Sequence, residues 1–178
     1  MIYTLGHSTR SLDQFMELLT AHQIHRLADV RLLPRSRRHP HFSRDNFERA
    51  LAGAGIVYRH FPALGGLRKA TSDSTNIGWR HPSFRGYADY METPAFDAAV
   101  DALLAFAGEG VPEPASNAAI MCAEAVWWQC HRQLIADALV ARDIDVWHIL
   151  SRSETARHAL TAFARVAGYH VTYPGLGL

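Results

Sequence analysis

Short apolar runs alternate with amphipathic stretches along this chain of 178 residues. Runs rich in β-branched or small apolar side chains predict strands, and stretches with apolar residues three and four positions apart predict helices. The predicted strands cover residues 2–5, 27–30, 56–61, 118–122, 145–150 and 169–173. The predicted helices begin after the caps Ser11 and Ser43, near Tyr87, at Pro94, near Trp127 and near Ser153, and the last two extend to Arg142 and Ala167.

This alternation predicts a single α/β domain, residues 1–178, with a mostly parallel sheet of five to six strands and helices on both faces. The length suits one domain that buries a sizeable core without cross-links. Residues 62–85 follow neither period and are rich in Gly, Ser, Thr and Arg. They predict a long loop that is either a lid over the functional site or disordered.

Composition excludes several classes of protein. Hydrophobic residues make up 48% and charged residues 20% of the chain, as in soluble globular domains. No apolar run is long enough to span a membrane, and the first residues lack the order of a signal peptide, so we expect a cytoplasmic protein without membrane contact. Two cysteines without a secretion signal argue against a disulfide framework and leave thiol chemistry, metal binding or core packing.

The net charge of +1 hides a strong asymmetry. Residues 31–85 contain ten Arg and one Lys against three acidic residues, which gives +8, whereas the rest of the chain carries 7 basic and 14 acidic residues, which gives −7. Arginine binds phosphate and carboxylate groups through two parallel hydrogen bonds. The cluster therefore predicts an anionic ligand, although any single arginine on a solvated face has a purely structural explanation.

Parallel sheets bind ligands beyond the carboxyl ends of their strands. If the next helix begins near Trp127, residues 130–132 lie in its first turns, close to this edge. The free backbone amides of a first helical turn favour anions and thiolates. The rule selects His7 and Ser8 after the first strand, Asp29 and Arg31 after the second, Cys122 and Glu124 after the fourth, His148 near the end of the fifth, and Cys130, His131 and Arg132 through the helix.

The first functional hypothesis is an enzyme, a hydrolase or a transferase, that acts on a phosphorylated or nucleotide-like substrate. Glu124 or His131 would transfer protons, since imidazole and a partly buried carboxyl titrate near neutrality. Glu124, Cys122 or Cys130 would be the nucleophile in covalent versions of this chemistry. The residues expected to bind the anion or substrate are His7, Ser8, Asp29, Arg31, Arg35, Arg37, Arg38, Tyr87, Tyr90 and Arg132.

A second hypothesis is a zinc or iron site formed by Cys122, Cys130 and His131, with His7 or His148 as a further ligand. The spacing argues against it, because Cys130 and His131 would point in different directions on a helix. No phosphate-loop or dinucleotide fingerprint is present. We therefore predict no cofactor, and metal is the less favoured alternative.

A third hypothesis is a nucleic-acid-binding module, because aromatic residues interleave with the arginines of the basic stretch, as in proteins that stack single strands. The sequence pI of about 7.9 and the lack of a helix-turn-helix or zinc-finger pattern rank this hypothesis behind the enzyme. The oligomeric state is not indicated. The aromatic residues concerned are Tyr58, Phe61, Trp79, Phe84 and Tyr87.

Several long motifs resemble one known family. They are TLGHS at 4–8, ADVRLLPRSRRHPHF at 28–42, LGG at 64–66, FRGYADYM at 84–91 and MCAEAVWWQCHR at 121–132. These motifs, spread over almost the whole chain, are similar to those of the domain-of-unknown-function family 488. The resemblance implies a bacterial or archaeal cytosolic domain without an assigned reaction.

A weaker resemblance is to rhodanese and cysteine phosphatase domains. It rests on the strand end that carries Asp29 and Arg31, and on Cys122, which ends a later strand before an Arg-containing helix. In those families the reactive Cys and the anion-binding Arg are about six residues apart. Here Cys122 and Arg132 are ten apart, and Trp128 and Ala136 stand six residues beyond the two cysteines. The analogy therefore supports only an anion-binding cradle.

Overall fold

The structure is a computed structural model that describes residues 1–35, 38–109 and 117–175. One six-stranded sheet is formed by β1 Ile2–Gly6, β2 Ile24–Asp29, β3 Val57–His60, β4 Asn117–Cys122, β5 Val146–Ile149 and β6 Thr155–Arg157. The strand order is β3-β2-β4-β1-β5-β6, and only β6 is antiparallel to its neighbour. The predicted single α/β domain with a mostly parallel sheet is confirmed.

Helices cover both faces of this sheet. On one face, α1 and α2 bury Phe15, Leu19, Phe47 and Leu51 against apolar side chains of the central strands. The other three helices pack on the opposite face. In the described ranges, none of the helices is long and apolar enough to cross a membrane. The helices are α1 Leu12–Ala21, α2 Arg44–Gly53, α3 Pro82–Met91, α4 Pro94–Gly108 and α5 Arg132–Val140.

The strand order creates a crevice at the centre of the sheet. The chain leaves β1 toward β2 on one side and leaves β4 toward β5 on the other, so α1 and α5 lie on opposite faces. Gly6 pairs with Cys122, which places the carboxyl ends of β1 and β4 side by side. Such a reversal of direction is where open α/β sheets bind ligands.

The C-terminal region differs from the sequence prediction. The predicted helix over residues 153–167 is wrong, because this segment forms β6 and then β7 Arg165–Ala167. The predicted sheet-closing strand at 169–173 is β8 His170–Thr172, which pairs only with β7, across a turn in which Gly168 has a φ of +63°. The alanine-rich sequence favours a helix only weakly, and packing of β6 against the edge of β5 overrides that preference.

Two helix starts also differ from prediction. The helix predicted from Trp127 begins at Arg132, after a 3-10 turn over Trp127–Gln129. Cys130 between them is extended, with φ −130° and ψ 146°. The α3 helix begins at Pro82, so residues 82–85 of the predicted loop are helical.

Candidate functional site

A cavity of about 510 Å³ opens beyond the carboxyl ends of β1 and β4. It brings together side chains from the ends of three different strands: His7 after β1, Arg31 and Arg35 after β2, and Cys122 and Glu124 at and after the end of β4. The segment before α5 adds Cys130 and His131. These seven residues are the part of the sequence-predicted site that lines one cavity.

The two thiols and one imidazole form a compact cluster. Cys122 and Cys130 are buried and not disulfide-bonded, and the ligand atoms of both cysteines and of His131 all lie within 4.8 Å of one another. His131 Nε2 lies 3.1 Å from the Val30 carbonyl oxygen. Because a carbonyl only accepts, Nε2 donates, and Nδ1 faces the Cys130 Sγ at 3.7 Å.

Arg132 is buried beneath this cluster, with 1% of its surface exposed. Its Nε donates to the Cys130 Sγ at 3.4 Å, its Nη1 donates to the Thr4 hydroxyl at 3.2 Å, and its Nη2 donates to the Glu124 carbonyl. Arg132 does not line the cavity. Its guanidinium therefore fixes the residues around the thiols, whereas the sequence predicted that it would contact the anion.

The pKa values of the two thiols are shifted in opposite directions. The hydrogen bond from Cys122 lowers the pKa of Cys130 well below its usual range, and His131 and Arg132 act in the same direction. The same hydrogen bond, together with burial, raises the pKa of Cys122. Cys130 is therefore the more acidic thiol of the pair.

Two glycines make room for the cluster. A Cβ on Gly6 would lie 1.7 Å from the Glu124 carbonyl oxygen and 3.0 Å from the Arg132 Nη2. A Cβ on Gly66 would lie 2.8 Å from the His131 Nδ1. The glycines of the GHS and LGG motifs thus permit close approach of the 124 peptide and of the His131 ring.

A buried chain of hydrogen bonds runs from Arg132 through the protein. The Thr4 hydroxyl lies 2.8 Å from His148 Nδ1, His148 Nε2 lies 2.9 Å from His158 Nδ1, and His158 Nε2 lies 2.8 Å from Asp137 Oδ1. Because the carboxylate only accepts, His158 donates through Nε2 to Asp137 Oδ1. The Trp127 ring stacks on His148 with centroids 4.0 Å apart.

His148 makes the folding stability dependent on pH. Burial, followed by the charges of His158 and Arg132, lowers the pKa of His148 from 6.5 to about 3. Between these values the unfolded chain binds a proton that the folded state does not, so this contribution to stability is fully present above pH 6.5 and is lost as the pH falls.

We expect the free energy of unfolding to fall between pH 7 and pH 4, with His148 contributing at most about 1.4 kcal/mol per pH unit. A His148→Gln variant is expected to show a shallower dependence in urea unfolding at a series of pH values. His25→Gln, at an exposed position of β2, is the control. An unchanged slope in His148→Gln would show that His148 is not the responsible group.

The basic side of the cavity is organised by Arg31, which is 5% exposed. Its Nη2 lies 2.6 Å from Asp29 Oδ2, and its Nη1 donates to the Phe42 carbonyl and lies 3.5 Å from His7 Nε2. Burial, followed by the charge of Arg31, lowers the pKa of His7 to about 4, so its ring is neutral at pH 7. Asp29 offsets the positive charge of Arg31. Arg35, the second arginine of the cavity lining, is exposed.

Five other predicted residues do not line the cavity. Asp29 is fully buried and accepts from Arg31 and Tyr58, and Ser8 accepts from His7 through its carbonyl with a φ of +49°. Tyr87 is fully buried and donates to the Leu64 carbonyl. The Arg68 guanidinium lies over the Tyr90 ring, 3.7 Å from its centroid. Arg38 is exposed. Arg37 lies outside the described residues.

Sequence reasoning missed two features of the site. The apolar lining from Leu32, Leu33, Leu67 and Phe84 has no periodic pattern, because these residues lie in irregular segments or at a helix start. The Asp137 to His158 pair was also missed, because it joins a helix to a segment with no strand-end signal. The predicted loop does contribute, since Gly66, Leu67 and His81 belong to it.

The chain belongs to the family described as Domain of unknown function DUF488, whose model matches residues 11–139. This match confirms the resemblance inferred from the motifs. No curated protein and no solved structure gives a significant match. The description of the family names no reaction.

Proposed function

We propose that this protein is an enzyme that transforms an anionic small molecule in the cavity beyond β1 and β4. Cys122, Cys130 and His131 form the reactive cluster, and Glu124 transfers protons. One observation carries the proposal: the thiols and the imidazole line the same cavity as Glu124 and Arg35. Convergent polar groups in a pocket of several hundred Å³ are the usual form of an active site.

The substrate is inferred from the lining. The exposed Arg35 gives one wall hydrogen-bond donors and positive charge, which suit a phosphate or carboxylate group. Leu32, Leu33 and Phe84 supply an apolar surface beside them. This combination suits a molecule with an anionic group and an apolar or aromatic body, of the size of a nucleotide or a phosphorylated metabolite.

Glu124 is the candidate proton carrier because its side chain is exposed in the cavity wall. The Arg132 guanidinium holds the Glu124 carbonyl, and Gly6 lets this peptide approach β1. The backbone of Glu124 is thus fixed, and the exposed residue is part of the cavity lining. General acid-base catalysis needs a carboxylate in such a position.

The aromatic residues of the basic stretch argue for a small molecule in preference to a polynucleotide. Tyr87 and Phe61 are buried in the core, and Tyr58 is half-buried with its hydroxyl on Asp29. Stacking of single-stranded bases requires exposed aromatic faces. Nucleic-acid binding stays a prediction that a salt series tests, because phosphate contacts weaken steeply as salt rises.

Arg35→Gln is expected to raise the KM for an anionic substrate about 10-fold and to change kcat much less, because one charge-assisted hydrogen bond to the anion is lost. The substrate is first sought by incubating the protein with panels of nucleotides, sugar phosphates and carboxylates and detecting products by mass spectrometry. Steady-state kinetics then compare the variants.

Arg49→Gln is the matched control, since it removes the same charge from the same basic stretch at an exposed position on α2, remote from the cavity lining. Equal effects of both substitutions on KM would indicate a nonspecific charge effect. Turnover confined to uncharged compounds would overturn the proposal of an anionic substrate.

A further inference from the structure

We propose that Cys122, Cys130 and His131 bind one zinc ion, and that its fourth coordination position faces the cavity and holds a water molecule. This inference rests on the proposed function only in treating the cavity as an active site. Binding of the ion itself is measured without any substrate. The proposal makes the enzyme a hydrolase.

The positions of the three ligand atoms fit the ion. In tetrahedral sites Zn–S distances are about 2.3 Å and Zn–N distances about 2.0 Å, which separates neighbouring ligand atoms by roughly 3.5 to 3.8 Å. The Cys130 Sγ and His131 Nδ1 are 3.7 Å apart, and all three ligand atoms lie within 4.8 Å of one another. Adjustments of about 1 Å or less would complete the geometry.

The backbone removes the objection that the spacing raised. Cys130 and His131 do not lie inside a helix, because α5 begins at Arg132. Cys130 is extended, whereas His131 has φ −57° and ψ −12°. This change of conformation between adjacent residues turns both side chains toward Cys122, which no regular helix permits.

The surrounding contacts are those of a metal site. His131 donates its other ring hydrogen to the Val30 carbonyl, which fixes the tautomer and points Nδ1 at the thiols. Metal-binding histidines usually have such a partner. Arg132 donates to the Cys130 sulfur, and its positive charge stabilises a thiolate ligand. Gly66 leaves space beside the imidazole ring.

Three protein ligands indicate a catalytic site in preference to a structural one, since structural zinc sites have four. In the described part of the chain, no fourth His, Cys, Asp or Glu joins the cluster. The sequence suggested His7 or His148 as a further ligand. His7 is hydrogen-bonded to the Ser8 carbonyl, and His148 is hydrogen-bonded to Thr4 and His158. The cavity side of the cluster is therefore where water binds.

The reaction consumes one water molecule. The bound water transfers a proton to the Glu124 carboxylate, and its oxygen forms a bond to the electrophilic atom of the substrate. The bond to the leaving group breaks, its electron pair departs with that group, and Glu124 returns the proton to it. No oxidant, reductant or other co-reactant is needed.

The test measures metal in tag-free protein purified without chelator. We expect about one zinc per chain by elemental mass spectrometry. Removal of a residue that only hydrogen-bonds to a metal ligand typically weakens metal binding by roughly 10- to 100-fold. We expect a larger loss of zinc affinity in each of the three ligand variants, Cys122→Ser, Cys130→Ser and His131→Gln. His81→Gln, at another cavity histidine, and Glu124→Gln are expected to retain the metal. Cobalt substitution is expected to give thiolate-to-cobalt charge-transfer absorption that weakens with each Cys→Ser change.

If a ligand variant does not fold, wild-type protein treated with a chelator and then titrated with zinc supplies the same test. Failure of this protein to bind zinc, or a Cys122 to Cys130 disulfide under reducing conditions, would overturn the inference. Turnover by zinc-free protein would also overturn it while leaving the enzyme proposal intact. Stoichiometric zinc at these ligands without turnover of any anion supports the site and counts against the proposed substrate class.

Discussion

Asp137→Ala is expected to lower the free energy of unfolding by about 3 kcal/mol or more. Asp137 is fully buried, and its carboxylate accepts four hydrogen bonds: from His158 Nε2 at 2.8 Å, from the Thr161 backbone at 2.9 Å, from the Thr161 hydroxyl at 2.7 Å and from the Tyr173 hydroxyl at 2.8 Å. The variant leaves all four buried donors without a partner, and each unsatisfied donor destabilises the folded state.

Urea unfolding followed by circular dichroism measures this loss. Asp101→Ala is the matched control, because Asp101 is exposed on α4 and an exposed substitution usually changes stability by less than about 0.5 kcal/mol. A loss below about 1 kcal/mol in Asp137→Ala would mean that the four contacts are worth no more than one ordinary hydrogen bond.

The same four contacts explain why the C-terminal region could not be predicted. His158, Thr161 and Tyr173 belong to the segment in which the alanine-rich pattern favoured a helix and a closing strand. Their side chains bind Asp137 on α5, which holds residues 158–173 in irregular and hairpin conformations. These partners are 21 to 36 residues away along the chain, so no local pattern reports them.

The five parallel strands and the first two helices were predictable because the sequence pattern that specifies each of them is local. Their apolar periodicity reflects burial against a sheet that any α/β topology provides, and Ser11 forms the full capping box at α1. Ser43 precedes α2 as predicted, but its side chain makes no capping hydrogen bond. Strand-end position then placed His7, Arg31 and Cys122 at one edge without knowledge of the strand order.

Strand-end reasoning cannot tell a group that faces the ligand from one that supports it. Arg132 and Tyr87 were both selected as substrate contacts, yet each is buried and bonded to a backbone carbonyl. The residue type misled the prediction, because arginine is almost never fully buried unless paired. Only tertiary contacts reveal that Arg132 joins the Cys130 sulfur to the hydrogen-bond chain ending at Asp137.

Glu124→Gln is expected to reduce kcat about 100- to 10,000-fold, the range that a general acid-base group contributes. The amide occupies the same space and keeps the backbone contacts with Arg132, but it cannot accept the proton that hydrolysis releases. The KM is expected to change little, since in the proposed mechanism Glu124 transfers a proton and Arg35, another lining residue, binds the anion. Glu48→Gln, an exposed carboxylate on α2, is the control for the loss of one negative charge.

The kinetic profile distinguishes catalysis from folding. If Glu124 transfers the proton, the variant loses turnover but retains zinc and unfolds with wild-type stability. A variant that loses turnover together with zinc would assign Glu124 to the metal site. Wild-type turnover in the variant would remove Glu124 from the mechanism.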